Sequence, residues 1–297
     1  MTDFSRGCAY IDDEYVPVDQ ARIPILDWGF LHSDATYDVA HVWQGKFFRL
    51  DDHVERFFAS MNSLRLAPGF DANQVKSIMT ECVRRSGLRD AYVEMGCTRG
   101  LPEPGSRDPR TCTNRFFAFA VPFIWIADPD KQAEGLKLII SNRRRIPADS
   151  VDPRVKNYHW LDLVMALFDA YDAGGETAVV VDGAGNLVEG PGFNIFLVEG
   201  SRISTPGEGV LHGITRKTAI EIAEREGFEV QLCDIAAERA QAADEVFLSS
   251  TGGGLIPVTV VDGKPIADGK PGPVRGKLQQ AYWALHEDPA YATPIDY

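Results

Sequence analysis

Long apolar runs, paired cysteines and basic clusters are all missing from this chain, and each absence removes a class of function. No run approaches the about 18 apolar residues of a membrane-spanning helix. The start, MTDFSRGCAYIDDEY, has neither the charged flank nor the apolar centre of a secretory leader. Cys8, Cys82, Cys97, Cys112 and Cys233 are odd in number, scattered and never spaced C-x-x-C, which argues against a disulfide framework or a zinc site. Reduced thiols and a cytoplasmic location are expected. Basic residues number 30 against 43 acidic, a net charge of −13, and the longest basic run is Arg143-Arg144-Arg145. Nucleic acid and anionic membrane are therefore poor partners. The two common nucleotide cradles, the H-E-x-x-H zinc helix and the G-x-S-x-G elbow are absent too, so neither metal nor serine-esterase chemistry is expected.

What is present supports a real core: 297 residues, 44% of them hydrophobic, suffice for one large or two ordinary domains. CAYID and EYVPV read as strands around a DDE turn, and Gly45 as a hairpin turn in the aromatic-rich stretch from Arg22 to Leu50. From Asp52, taken as an N-cap, apolar positions fall at helical spacing, and a second helix over DANQVKSIMTECVRRSG ends at Gly87. Strands AYVEMGCT and NRFFAFAVPF flank a Pro-rich loop. Apolar content then drops in IADPDKQAEG, which divides the chain into an N-terminal domain (1–125), a linker (126–135) and a C-terminal domain (136–297). Strands and helices mix without regular alternation, which predicts an α+β fold of two domains.

The chemistry starts at Lys156, in the polar turn DPRVKNYHW before the apolar run WLDLVMALFDAY. A lysine is ordinarily a solvated charge, so its neighbours decide the reading. Glu189 ends a strand before a Gly-Pro-Gly turn, where it either points into a cleft or simply meets water. In LHGITRKTAIEIAEREG, Gly213 precedes Ile214 and Thr215 at the mouth of an amphipathic helix, where free backbone N–H groups suit a phosphate and Thr215 equally suits a plain cap. FLSSTGGGLIPV sets Ser249, Ser250 and Thr251 before three glycines that allow close backbone approach.

Pyridoxal 5′-phosphate explains the set, because it needs an amine for its aldehyde, a carboxylate to keep its ring nitrogen protonated and donors for its phosphate. An amine desolvated by an apolar wall or a cationic neighbour loses ammonium stability and becomes nucleophilic. Arg56, in HVERF, is the candidate for a charge-assisted phosphate contact, set against an ordinary surface ion pair.

These segments together resemble the fold type IV pyridoxal-phosphate enzymes, which include the branched-chain and D-amino-acid aminotransferases and 4-amino-4-deoxychorismate lyase. HVERF, VKN, LVEGPGFNIF, LHGITR and ADEVFLSST match that family's motifs in order along most of the chain. The resemblance implies a smaller N-terminal α/β domain, a larger C-terminal domain with the cofactor in the cleft, and a homodimer whose partner loops complete each site. By it, Lys156 holds the cofactor and shuttles the proton, Glu189 pairs with the ring nitrogen, and Arg56, the Ile214 and Thr215 backbone, Ser250 and Thr251 bind phosphate.

Within the family, LHSDATYDVAHVWQGKFFRLDDH, AYVEMGCTRG and Trp160 resemble the (R)-selective amine transaminases. That implies an amine donor, a keto-acid acceptor such as pyruvate, and substrate pockets lined by His32, Tyr37, Val39, Tyr92, Glu94 and Trp160. The loop GLPEPGSRDPR departs from the pattern, so the arginine that reads the acceptor's carboxylate is Arg107, Arg110 or neither, and Pro191 stands where many relatives carry Ser. The alternatives are D-amino-acid or branched-chain aminotransfer, and the lyase.

Overall fold

The computed structural model describes residues 6–297, which divide into two compact units. The first unit comprises the chain up to Ile124, together with Val155–Tyr158 and His286–Tyr297; the second comprises Trp125–Arg154 and His159–Leu285. Residues 155–158 and 286–297 thus leave the contiguous 136–297 block that composition marks as one domain. Pairing draws them away: Tyr37 N and Thr36 Oγ1 both donate to the Lys156 carbonyl, and the C-terminal strand Ala292–Pro294 pairs with Lys46–Phe48. The expected linker 126–135 is ordered, with a short helix over Pro129–Glu134 capped by Asp128.

In the first unit, β1 (Cys8–Ile11), β2 (Glu14–Pro17), β3 (Ala35–Trp43), β4 (Lys46–Phe48), β5 (Ala91–Leu101) and β6 (Thr113–Pro122) join the C-terminal strand in a seven-stranded sheet. Its order is C-terminal strand, β4, β3, β5, β6, β1, β2. Gln44 and Gly45 both take positive φ (51° and 79°), the two-residue turn whose twist suits a hairpin. Helices α1 (Trp28–His32), α2 (Leu50–Ser63) and α3 (Ala72–Ser86) complete the unit. One face of the sheet, with Ala40, Val42, Val93, Met95 and Ala118, packs on Val54, Phe57, Met61, Val75 and Met79 of α2 and α3. Gly87 ends α3 in the left-handed region, at the glycine where its sequence places the end, and Asp71 and Gln74 cap its start reciprocally. Helix α2 begins two residues before the expected Asp52: Arg49 occupies the cap position, and Asp51 and Asp52 sit in the first turn, where the helix dipole favours acids.

The second unit holds α4 (Pro129–Glu134), β7 (Leu136–Arg144), α5 (Leu161–Asp172), β8 (Thr177–Val181), β9 (Glu189–Gly190), β10 (Phe193–Glu199), β11 (Arg202–Pro206), α6 (Ile214–Arg225), β12 (Glu229–Cys233), α7 (Arg239–Ala242), β13 (Glu245–Ser250), β14 (Gly254–Val261), β15 (Lys264–Pro265) and α8 (Pro273–Ala284). Its nine-stranded sheet runs β12, β11, β10, β13, β14, β7, β8, with β9 on β10 and β15 on β14. The pairs β7–β8, β7–β14 and β11–β12 are parallel. Its core gathers Leu138, Val179, Ile195, Leu197, Leu248 and Ile256. Among the described residues no helix is long and apolar enough to cross a membrane, and no group of three His, Cys, Asp or Glu could hold a metal ion.

Candidate active site

Strand alternation puts two different environments on the two faces of the first sheet. Side chains at successive positions of β3 point oppositely, so Tyr37 and Val39 face away from the helices and Asp38 faces them. Opposite Tyr37 and Val39 on β5 lie Gly96 and Glu94, and Tyr92 follows in the same row. The segment 155–158 adds itself to the edge of β3 and brings the Lys156 ammonium and the Tyr158 ring to the Tyr37 side chain. Its backbone pairs with Thr36 and Tyr37, the Lys156 N–H donates to Ser60 Oγ of α2 at 3.3 Å, and the Lys156 ammonium sits 4.2 Å above the centre of the Tyr37 ring. A cation over a ring face is attracted by the ring's quadrupole, so the amine is held without a carboxylate touching it.

Tyr158, two residues on, stacks on Tyr37 with ring centres 4.4 Å apart and donates its hydroxyl to Glu94 Oε1 at 2.8 Å. Tyr92 donates to Glu94 Oε2 at 3.1 Å. Glu94 is therefore a buried carboxylate strung between two phenols. Burial pushes its pKa up, against the two phenol hydrogen bonds and the Lys156 charge, which favour the ionised form. Burial and the Glu94 charge push the Tyr158 and Tyr92 hydroxyls well above the ordinary phenol range, so both stay protonated donors. The structure thus brings Lys156, Tyr37, Val39, Tyr92 and Glu94 to one face, and adds Tyr158, which no motif singled out.

On the helix side, Arg56 forks onto Asp38, with Nε 2.7 Å from Oδ2 and Nη2 2.9 Å from Oδ1, and His53 Nδ1 lies 2.8 Å from Oδ1. Burial opposes ionisation of Asp38, but Arg56 and His53 outweigh it and pull its carboxyl well below the usual range. His32, on α1, is exposed and packs edge-on against Trp28. Arg107 is exposed in the loop after β5, and Arg110 pairs with Asp108 of its own loop.

The second unit builds its own polar row. Glu189, Asn194 and Ser249 are cross-strand neighbours on β9, β10 and β13, so their side chains share one face. Glu189 Oε1 accepts from Arg145 Nε at 3.1 Å and Oε2 from the Leu211 N–H at 2.9 Å. Arg145 in turn donates to Asp162 at 2.8 Å. Asn194 Nδ2 donates to the Leu211 carbonyl, and a Cβ on Gly213 would stand 2.3 Å from Asn194 Oδ1. The loop is thereby stitched to the row and delivers the N-terminus of α6, with Ile214 and Thr215, at a fixed place. Ser250 Oγ donates to the Gly192 carbonyl and accepts from Gly252 N–H. Trp160 occupies the cap position of α5 and lies near Gly192. Two buried polar atoms in this region, Ser249 Oγ and Arg216 Nε, have no hydrogen-bond partner. Arg145 is the residue that sequence reading passed over: its partner Glu189 lies 44 positions away, and only the strand pairing discloses it.

Residues 35–261 match the family model described as Amino-transferase class IV. A Methanocaldococcus jannaschii protein assigned as a branched-chain-amino-acid aminotransferase is 31% identical over 92% of this chain and 94% of its own. A D-alanine aminotransferase of Listeria monocytogenes is 25% identical over 92% and 93%. Among solved structures, the branched-chain aminotransferase of the archaeon Thermoproteus uzoniensis with norvaline superposes with a TM-score of 0.89 at 26% identity, covering 97% of this chain and 99% of that one. Another branched-chain amino acid aminotransferase, complexed with N-(5′-phosphopyridoxyl)-L-glutamate, superposes with a TM-score of 0.90 at 26% identity, covering 98% and 99%.

Proposed function

Because this chain belongs to the class IV aminotransferases, whose cofactor is pyridoxal 5′-phosphate, we propose that it moves an amino group from an (R)-amine to a keto acid such as pyruvate by a ping-pong cycle. Its own residues suit that cofactor. An amine is perched on an aromatic ring, and the row Glu189, Asn194, Ser249 keeps unspent hydrogen-bonding capacity in the Ser249 hydroxyl beside a helix N-terminus. When bound, the cofactor supplies an aldehyde and an electron-withdrawing ring.

Lys156 binds the cofactor and carries the proton between the substrate α-carbon and the cofactor's C4′. Glu189, oriented by Arg145 and Leu211 N–H, holds the ring nitrogen in its protonated form. Arg56, the Ile214 and Thr215 N–H groups, Ser250 and Thr251 hold the phosphate. Asp38 fixes the direction of the planar Arg56 guanidinium, which a directed, charge-assisted contact to phosphate oxygens requires.

One observation carries the donor assignment. The groups in contact around Lys156 and Glu94 are tyrosine rings and hydroxyls, with no arginine among the described contacts. Such a face suits an amine with an apolar substituent and no carboxylate. His32, Tyr37, Val39, Tyr92, Glu94 and Trp160 shape the pockets, and Arg107 reads the acceptor's carboxylate. The enzyme works as a cytoplasmic homodimer; the exposed Leu161, Phe168 and Tyr171 of α5 and Ile25, Leu26 and Phe30 of the first unit are faces of the kind a second copy covers.

A second reading, aminotransfer from branched-chain or D-amino acids, is favoured by the names of the relatives. A donor panel of (R)- and (S)-1-phenylethylamine, D-alanine and L-leucine with pyruvate separates the two. Turnover with the (R)-amine alone is expected, and exclusive use of an amino acid overturns the amine assignment. Lys156→Ala is expected to lose both turnover and the cofactor's lysine-dependent visible absorbance.

A further inference from the structure

A transaminase that takes a carboxylate-free donor and a carboxylate-bearing acceptor at one amine must reconcile two ligand charges. Glu94 stands where that conflict falls. It is buried, its two oxygens are each held by a neutral phenol, and it shares the Lys156 face of the sheet. The ionisable groups around it are Tyr92 on β5, Tyr37 on β3, Lys156 and Tyr158 on the added segment, and Asp38 across the sheet; β6 faces it with Phe119. Only Lys156 among them is a cation, and it lies over Tyr37 rather than on Glu94.

Resting on the amine-donor reading above, we propose that Glu94 sets donor and acceptor choice through its proton: ionised, it admits the amine and opposes a carboxylate beside Lys156, and the acceptor's carboxylate binds together with one proton from solvent. Arg107 meets that carboxylate from an exposed loop and is not among the groups acting on Glu94, so two carboxylates in a poorly solvated site cannot both stay ionised and the entering charge forces protonation. An O–H bond forms on one Glu94 oxygen, no bond of the ligand breaks, and the neighbouring Tyr158 or Tyr92 hydroxyl turns from donor to acceptor, a role a phenol can take. Burial already raises the proton affinity of Glu94, which lowers the cost of that uptake.

The probe is 4-methylvalerate, since 4-methylvaleric acid occupies a branched-chain aminotransferase that superposes on this chain with a TM-score of 0.90, and 4-methylvaleramide is the uncharged control. Calorimetric titration of the holoenzyme in buffers of different ionisation enthalpy counts the protons. The native enzyme should take up close to one proton per carboxylate bound and none per amide, with carboxylate affinity falling about tenfold per pH unit above the Glu94 titration. Glu94→Gln should take up none and bind the carboxylate with a level pH profile. Tyr158→Phe, which removes one donor to the ionised form, should move the native profile to higher pH. Native binding without proton uptake, no carboxylate binding between about pH 6 and 9, or native-like uptake in Glu94→Gln overturns the proposal. Should Glu94→Gln fail to fold, an unmoved profile in Tyr158→Phe overturns it alone. Proton uptake in an enzyme that transfers only from amino acids supports the role of Glu94 and overturns the donor assignment; transfer from the amine without uptake does the reverse.

Discussion

Asp38 shows how little of a residue's role its neighbours in sequence reveal. In HSDATYDVAHV it reads as a polar interruption of a strand, yet it is the fully buried anion that satisfies both Arg56 and His53. Asp38→Asn removes the buried negative charge facing that guanidinium and should cost about 3–5 kcal/mol of stability, measurable by urea unfolding. Because the folded carboxyl titrates below its unfolded value of about 4, its contribution is complete above that pH. It is lost as pH falls further, so the gap between native and variant should close in acid; a gap unchanged at low pH contradicts the assignment. The proposed roles of Lys156 and Glu189 were legible because each sits in a motif with a chemical reason. Tyr158 and Arg145 were not, since a tyrosine in a turn and an arginine in a basic run take meaning only from partners 64 and 44 positions away.

Elements were legible where a period was long enough to read. The 15-residue α3 declares its cap, its stripe and its terminal glycine. Helix α1, five residues long, is too short to show a period and vanished into an apolar stretch. Helix α6 tests the link between an element's geometry and its use. Gly213 approaches the Asn194 amide so closely that a side chain there must shift that amide, and with it the hydrogen bond that ties the loop at Leu211. Gly213→Ala should therefore weaken cofactor binding by about tenfold, or about 1.4 kcal/mol, in a fluorescence titration, with melting of the cofactor-free protein moved far less. Equal damage to both would mean that the loop serves only the fold.

At the scale of the molecule, the α+β mixture could be read from helical and strand periods that follow each other irregularly, but sheet membership could not. Parallel pairs such as β7 with β14 join strands more than 100 positions apart, and no local signal marks them. The exposed stripe Leu161, Phe168, Tyr171 on α5 belongs to this scale too. If α5 is the contact of the proposed homodimer, Leu161→Glu combined with Phe168→Glu should shift the species seen in sedimentation velocity from dimer to monomer, with each unit still folded by circular dichroism. A dimer that survives both charges has its contact elsewhere.

The bond from Thr36 Oγ1 to the Lys156 carbonyl spans 120 positions of chain. Closing so long a loop carries an entropic cost that local hairpins such as β3–β4 escape, so the sheet has to exist before the four residues of Val155–Tyr158 find its edge. The amine proposed to hold the cofactor is thus expected among the last groups to reach its place during refolding. Recovery of the far-ultraviolet signal should precede recovery of the ability to capture an aldehyde, and in that interval the chain is shaped like an enzyme but has no chemistry.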